Sequence, residues 1–175
     1  MSVNSDYLPT IMKLKHVDYY KGYVLGFLFS EDLKHVLLIK KTHPPLQAGK
    51  LNGIGGKLTN GESHCSAMYR ECHEETNILK DNWVYLKPFP VDDKPCHVFY
   101  GTADLSKAKV MTEEELWTVS VERLFNEPWI PVCDQIPLGI GLVDGAKELA
   151  EECYRKIYSK RNPSYNKLIK YQPIK

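Results

Sequence analysis

Three glutamates, Glu71, Glu74 and Glu75, stand at relative positions i, i+3 and i+4 in the run YRECHEETNIL. On a helix they project from neighbouring positions of one flank. Like charges so placed repel, at roughly 0.2–0.5 kcal/mol per pair on an isolated helix. One turn on from Glu74 and Glu75 come Ile78 and Leu79, so no following Lys or Arg relieves them, although Arg70 is set to bond Glu74 from the turn before. A hard divalent cation would turn that repulsion into attraction, because magnesium takes oxygen ligands, keeps several waters and shares its remaining positions with phosphates. Taken alone, three glutamates more often form a solvated acidic face. What surrounds them shifts the balance: Glu62 just ahead of the helical run, and Gly53, Gly55 and Gly56 leading in.

Other chemistries in this region lose on inspection. The Gly53-Ile54-Gly55-Gly56 run lacks the later glycine of a dinucleotide-binding fingerprint, since Leu58 stands there. A Walker loop is excluded too: Leu51 takes its first glycine position and Leu58 the place of its magnesium-binding hydroxyl. His64, Cys65 and His73 are better read as core and surface residues than as metal ligands, with Cys65 expected in an apolar stripe.

The residues Gly56, Glu62, Arg70, Glu71, Cys72, Glu74, Glu75 and Ile78 fall in register with the pattern G-x5-E-x7-R-E-U-x-E-E-x-G-U, where U is aliphatic. In this the chain resembles the Nudix hydrolases. Cys72 replaces an aliphatic residue, a mild change because buried cysteine behaves as a small hydrophobe. Asn77 replaces the final glycine beyond the helix end, where a left-handed backbone is expected and asparagine is tolerated best among residues with a side chain. The resemblance implies an α/β fold, a mixed β-sheet in an α/β/α sandwich carrying a loop-helix-loop motif over residues 56–78. It implies Glu71, Glu74 and Glu75 as ligands of magnesium, with manganese as a substitute, and the Gly56 carbonyl as a further ligand. Glu62 would assist through the metal shell and Arg70 would orient the glutamates. Glu113, in TEEEL, matches the approximate place of a further glutamate that binds metal or activates water in some relatives, with a solvated turn the equal alternative.

The implied reaction is hydrolysis of a phosphoric anhydride in a nucleotide-like substrate. Asn52 to Lys57 is similar to the segment that places an asparagine against the base in Nudix triphosphatases of oxidised purines (the MutT-like subgroup), and Asn52 offers both donor and acceptor to a purine edge. A turn-forming Asn-Gly pair weighs as much. Trp129 for stacking and Asp134 for hydrogen bonding come from WIPVCDQIPL, out of the subgroup's register. The leading reading is therefore conversion of a nucleoside triphosphate, such as an 8-oxo-purine deoxynucleotide, to monophosphate and pyrophosphate. The rivals are cleavage of a nucleoside diphosphate linked to another group (ADP-ribose, a dinucleotide, an RNA cap) and a sensor that binds without cutting.

These residues need a scaffold. Tyr23–Ser30 and Val36–Lys41 read as a buried antiparallel strand pair. Ser63 to Thr76 reads as a helix with Cys65, Met68, Tyr69 and Cys72 as its apolar stripe. Trp83–Phe89, His97–Ala103 and Leu116–Val121 read as strands, and Leu142 to Tyr158 as a second helix through Leu149, Cys153 and Ile157.

A chain of 175 residues suits one domain over 1–175, with a tail from about 159. With 23 Lys and Arg against 22 Asp and Glu, no whole-molecule field draws in nucleic acid or anionic membrane. The expected partner is a small nucleotide, with nucleic acid entering only as a capped RNA end, and the chain is read as monomer or homodimer. The Lys-, Tyr- and Pro-rich tail suggests a solvated, partly docked terminus ahead of an RNA-contacting arm. Five cysteines without C-x-x-C pairing, and no apolar leader or span, point to a soluble cytoplasmic protein.

Overall fold

A computed structural model describes residues 21–126 and 141–164. Strand β1 (Tyr23–Ser30) and strand β2 (His35–Lys40) form the expected antiparallel pair, with Leu28 opposite Leu37 and Phe29 opposite Val36. Both strands are near-continuous apolar runs because both sheet faces are covered. Later in the chain, β5 (Val84–Val91) pairs antiparallel with β6 (Lys94–Ala103), whose residues 96–103 run parallel to the whole of β1. On the far side of β2 lies β7 (Glu115–Ser120), again antiparallel.

Beyond their contact near the turn, β1 and β2 diverge, and a bent segment fills the gap. Its first part, β3 (Leu51–Asn52), pairs with β2, and its second, β4 (Ile54–Lys57), pairs with β1, with only Gly53 between them. This crowding accounts for the glycine density of the segment. A Cβ on Gly55 would stand 2.0 Å from the Val24 carbonyl oxygen, which no side chain can do.

Helix α1 (His64–Thr76) covers one face, packing Ala67, Met68 and Cys72 with Val24, Leu28, Leu37, Ile39, Ile54 and Phe99. On the other face α3 (Ala146–Arg161) sets Leu149, Ala150 and Cys153 against Phe27, Phe29, Val36, Leu38 and Val98. Between them in sequence, the short α2 (Val121–Asn126) follows β7 directly. The result is a mixed sheet between helices. Among the described residues no helix is long and apolar enough to cross a membrane.

Three details differ from expectation. The buried side of α1 is Ala67, Met68, Cys72 and Thr76, whereas Cys65 and Tyr69 are exposed. The helix lies so close to the sheet that the Met68 Cε occupies the space of a Gly26 side chain, 2.7 Å from where its Cβ would be, so small residues line the contact and Tyr69 is turned out. Thr76 is accommodated by donating its hydroxyl to the Cys72 carbonyl at 2.6 Å. The second long helix begins at Ala146 rather than Leu142, because residues 141–143 are engaged by β3: Leu51 N–H donates to the Gly141 carbonyl and Val143 N–H to that of Leu51, each at 2.9 Å. Finally, Val121 opens α2 instead of ending β7.

The ends of α1 are chemically defined. The Ser63 hydroxyl accepts from the Ser66 amide at 3.1 Å, and Asn77 caps the other end at φ 62° with its N–H on the His73 carbonyl. Asn77→Ala should therefore lower unfolding free energy by about 1 kcal/mol, while Asn77→Gly leaves it equal or higher. Urea denaturation of the three proteins checks this, and an alanine variant as stable as the parent would defeat the left-handed cap account.

Candidate active site

Two turns into α1 the helix passes over β4, and their separation is set by Gly56. A Cβ there would lie 2.3 Å from Glu71 Oε1 and 2.7 Å from Oε2, so the Glu71 carboxylate fills the space that the missing side chain leaves. Its neighbour one turn on is held similarly: the Gly55 amide donates to Glu75 Oε2 at 3.1 Å. The glycines and two glutamates from opposite ends of the motif are thereby brought into one contact.

Arg70 ties the remaining members together. Its Nε and Nη2 grip Glu62 at 2.8 and 3.1 Å, the bidentate geometry a guanidinium suits best. Its Nη1 reaches Glu71 at 2.8 Å and Glu74 at 3.0 Å, and Nη2 also donates to the Lys57 carbonyl at 3.1 Å. The anticipated bond to Glu74 is present, but it is the most exposed of the three ion pairs; the Glu74 side chain is 55% accessible and those of Glu62 and Glu71 are 12%. Thr59 adds its amide and hydroxyl to Glu62, at 3.0 and 2.9 Å.

The electrostatics follow from this division. Arg70 bonding pulls the Glu62 carboxyl down to about 2, fixing it as an anion. Burial dominates at Glu71, raising it despite Arg70. At Glu75 burial raises the carboxyl to about 8, against partial relief from the Lys41 charge and the Gly55 amide, with Glu71 and Glu114 adding repulsion. One guanidinium thus serves three carboxylates, and Glu75 lies outside its reach.

Every donor here is an oxygen, as a hard divalent cation requires, and the shortfall of positive charge lies at Glu71 and Glu75, where one would be most effective. As the side chains stand, no group of three His, Cys, Asp or Glu among the described residues is gathered around a single point. Arg70 takes the Glu71 and Glu74 oxygens that an ion would share. The residues Glu71, Glu74 and Glu75 with the Gly56 carbonyl nevertheless match such an ion in donor chemistry and charge.

Outside the helix the fold selects differently from the sequence reading. Glu113 is exposed, whereas its neighbour Glu114 is buried, accepting from Lys41 Nζ at 2.8 Å and the Thr42 amide at 2.9 Å. Burial would raise the Glu114 carboxyl, but Lys41 and Thr42 outweigh it and hold it below the usual range. Of three consecutive glutamates only Glu114 turns in, ahead of the strand; Glu115 begins β7 and pairs with Lys40 at 3.2 Å. Neither Glu114 nor Lys41 was singled out from the sequence, and the TEEEL run was their only signal. Asn52 is half-buried; its Oδ1 accepts from the Gly53 amide at 2.8 Å and its Nδ2 donates to Gln47 at 3.4 Å, so the Asn-Gly contact is made and one amide hydrogen is left over among the described residues. Lys57 is exposed. Trp129 and Asp134 lie outside the described residues.

A family model described as NUDIX domain matches residues 20–134. A sequence comparison with curated proteins returns no match. Among solved structures, a MutT from an analysis of the Aliivibrio salmonicida and Vibrio cholerae proteins is similar at 25% identity and TM-score 0.53, over 59% of this chain and 82% of that one. The NUDIX domain of Shewanella oneidensis NrtR, solved with ADP ribose, is similar at 14% identity and TM-score 0.60, over 89% and 99%. A Clostridium perfringens hydrolase of the NUDIX family gives 18% and 0.56, over 77% and 96%.

The raised Glu75 carboxyl has a linkage consequence. Its folded value near 8 exceeds the unfolded 4.5, so its stabilising effect is complete below about 4.5 and is lost as pH rises towards 8. In chelator, the melting temperature should fall between pH 5 and 8, and Glu75→Gln should flatten that slope. Parallel pH profiles for the two proteins would refute the assignment.

Proposed function

The chain belongs to the Nudix hydrolase family, and we propose that it hydrolyses a nucleoside triphosphate to the monophosphate and pyrophosphate with magnesium as its cation. The family generally uses divalent metal cations, and manganese should substitute. The observation that carries the reading is the Glu71–Glu75 pair lodged against Gly55 and Gly56, half-buried and short of positive charge.

Glu71, Glu74, Glu75 and the Gly56 carbonyl would hold a divalent ion, which would supply charge neutralisation for the phosphates and a lowered pKa for water. The chain's own residues do the rest. Arg70 keeps Glu62 ionised and holds Glu71 and Glu74 in place through one planar group, limiting the rearrangement that binding demands. Lys41, positioned by Glu114 and close enough to Glu75 to influence its titration, adds a cation for a phosphate oxygen. Water forms a bond to phosphorus, the anhydride P–O bond breaks, the leaving oxygen departs with pyrophosphate, and the proton from water passes to a neighbouring carboxylate or to solvent.

Support for a triphosphate comes from the likeness to MutT and from Asn52, whose spare amide hydrogen suits an acceptor on a base. The competing substrate is a nucleoside diphosphate joined to a second group; the NrtR domain carries ADP ribose, at an identity that speaks only for the fold.

A panel of nucleoside triphosphates, 8-oxo-purine forms included, with ADP-ribose beside them, should be assayed at alkaline pH with magnesium and then manganese. Pyrophosphate should appear with at least one triphosphate; its absence from all of them defeats the proposed reaction. Arg70→Lys should reduce turnover roughly 10- to 100-fold, the usual cost of disturbing a group that orients ligands, and Glu74→Gln by more. A Glu74→Gln protein as active as the parent would remove that residue from the machinery.

A further inference from the structure

The β2–β3 loop carries a second side-chain amide beside Asn52, and the backbone dictates how both are turned. Gly53 presents an N–H at this point, so the Asn52 atom that meets it at 2.8 Å is Oδ1, and Nδ2 takes the other arm. The partner of Nδ2 is Gln47, which answers a donor with its acceptor, Oε1, at 3.4 Å. One backbone hydrogen therefore sets two amides in sequence, and Gln47 Nε2 is left on the arm turned away from Asn52. Among the described residues neither amide has a further partner.

Gln47 is half-buried and fixed from behind. Its N–H donates to the Pro44 carbonyl at 2.8 Å and its carbonyl accepts from the Lys50 amide at 2.9 Å, while Gly49 and Lys50 close the loop onto Lys41. The loop thus begins at Lys41, whose charge reaches Glu75, and ends at β3, where Asn52 stands four residues before Gly56. Four residues of chain span at most about 14 Å. One ligand can therefore meet the carboxylates at its phosphates and the two amides at its other end.

The hydrogens left over define the chemistry of that end. Asn52 Nδ2 keeps one and Gln47 Nε2 keeps two, whereas the two oxygens are already turned to the Gly53 amide and to Asn52 and retain a single lone pair each. A base edge rich in acceptors satisfies such a surface. Guanine and the keto pyrimidines place a carbonyl oxygen where adenine and cytosine place an amino group, which would set donor against donor. We propose that Gln47 selects the base, its amide nitrogen held towards the ring so that keto-base nucleotides are accepted ahead of amino-base ones. The inference rests on the reading of Asn52 as the residue that meets the base, and it adds the substrate class and a second residue to it.

Inosine and adenosine nucleotides test this cleanly, because they differ only in a keto group with a ring N–H against an amino group with a bare ring nitrogen; uridine and cytidine nucleotides differ in the same way. In the parent, Gln47→Glu and Gln47→Met, kcat/KM is measured for ITP with ATP and for UTP with CTP, and the binding of IMP and AMP, which needs no turnover, is measured by calorimetry. The parent should favour the keto member of each pair at least about 10-fold, the worth of one hydrogen bond. Gln47→Glu keeps an acceptor for Asn52 and turns a second acceptor outward, so it should reverse the order; Gln47→Met offers no hydrogen and should level it. IMP held ahead of AMP, with reversal in Gln47→Glu, supports the inference even where no triphosphate is cleaved, so the two readings fail separately. Equal handling of both members by the parent, a keto preference that survives Gln47→Glu, or an equal loss on both members of a pair overturns it.

Discussion

The contact between α1 and β4 at Gly55 and Gly56 governs the molecule, because it brings carboxylates into a place where the fold has little charge to offer them. A helix can lie that close only over residues without side chains, and the same absence that lets the backbones approach leaves room for the Glu71 carboxylate. Packing and chemistry are thus one constraint. Ala67, Met68 and Cys72 anchor the helix on Val24, Leu28 and Ile54, and the rotation this imposes turns Glu71 and Glu75 towards the sheet and leaves Glu74 at the surface. The apolar contact supplies the stability that a cluster of like charges would otherwise remove.

Divergence of β1 and β2 is what makes room for that contact. Had they paired throughout, β4 would have had no edge of β1 to occupy and the glycine run no position beneath α1. Instead, Tyr23 to Gly26 pair with Lys57 to Ile54, while Ile39 and Lys40 pair with Asn52 and Leu51. The bend at Gly53 passes from one strand's partner to the other's within a single residue. Consequently Asn52 and Gly56, four positions apart, belong to different strand pairs and are fixed by separate neighbours.

Local signals in the sequence made α1 and its charged flank legible. The apolar spacing from Ser63 to Thr76, the spacing of Arg70 and Glu74, and the substitution of asparagine at a left-handed position each act within one or two turns, and a helix, the ion pair and the left-handed cap are present in the structure. The helix face differs from expectation where its content depends on the opposing surface: Tyr69 and Met68 both fall on the apolar spacing, and only the closeness of Gly26 tells which is covered. The inward member of Glu113, Glu114 and Glu115 was illegible for a related reason. Glu114 turns in because Lys41 and the Thr42 amide, distant in sequence, meet it there, so composition alone cannot choose among three identical side chains. Lys41 went unnoticed because its significance arises from Glu114, 73 positions away.

That long-range pair joins two loops that would otherwise be independent. Glu114 accepts from both Lys41 and the Thr42 amide, which fastens the start of the β2–β3 loop to the residue preceding β7. The same loop is closed on itself by Lys41 with Lys50 and by Gly49 with Lys41, each at 2.8 Å, and Gln47 meets Asn52 at its far end. Glu75 feels the Lys41 and Glu114 charges from beneath. Glu75 on α1 and Lys41 at the start of the loop are therefore linked electrostatically, while Asn52 is held by its β2 partner Ile39 and by Gln47.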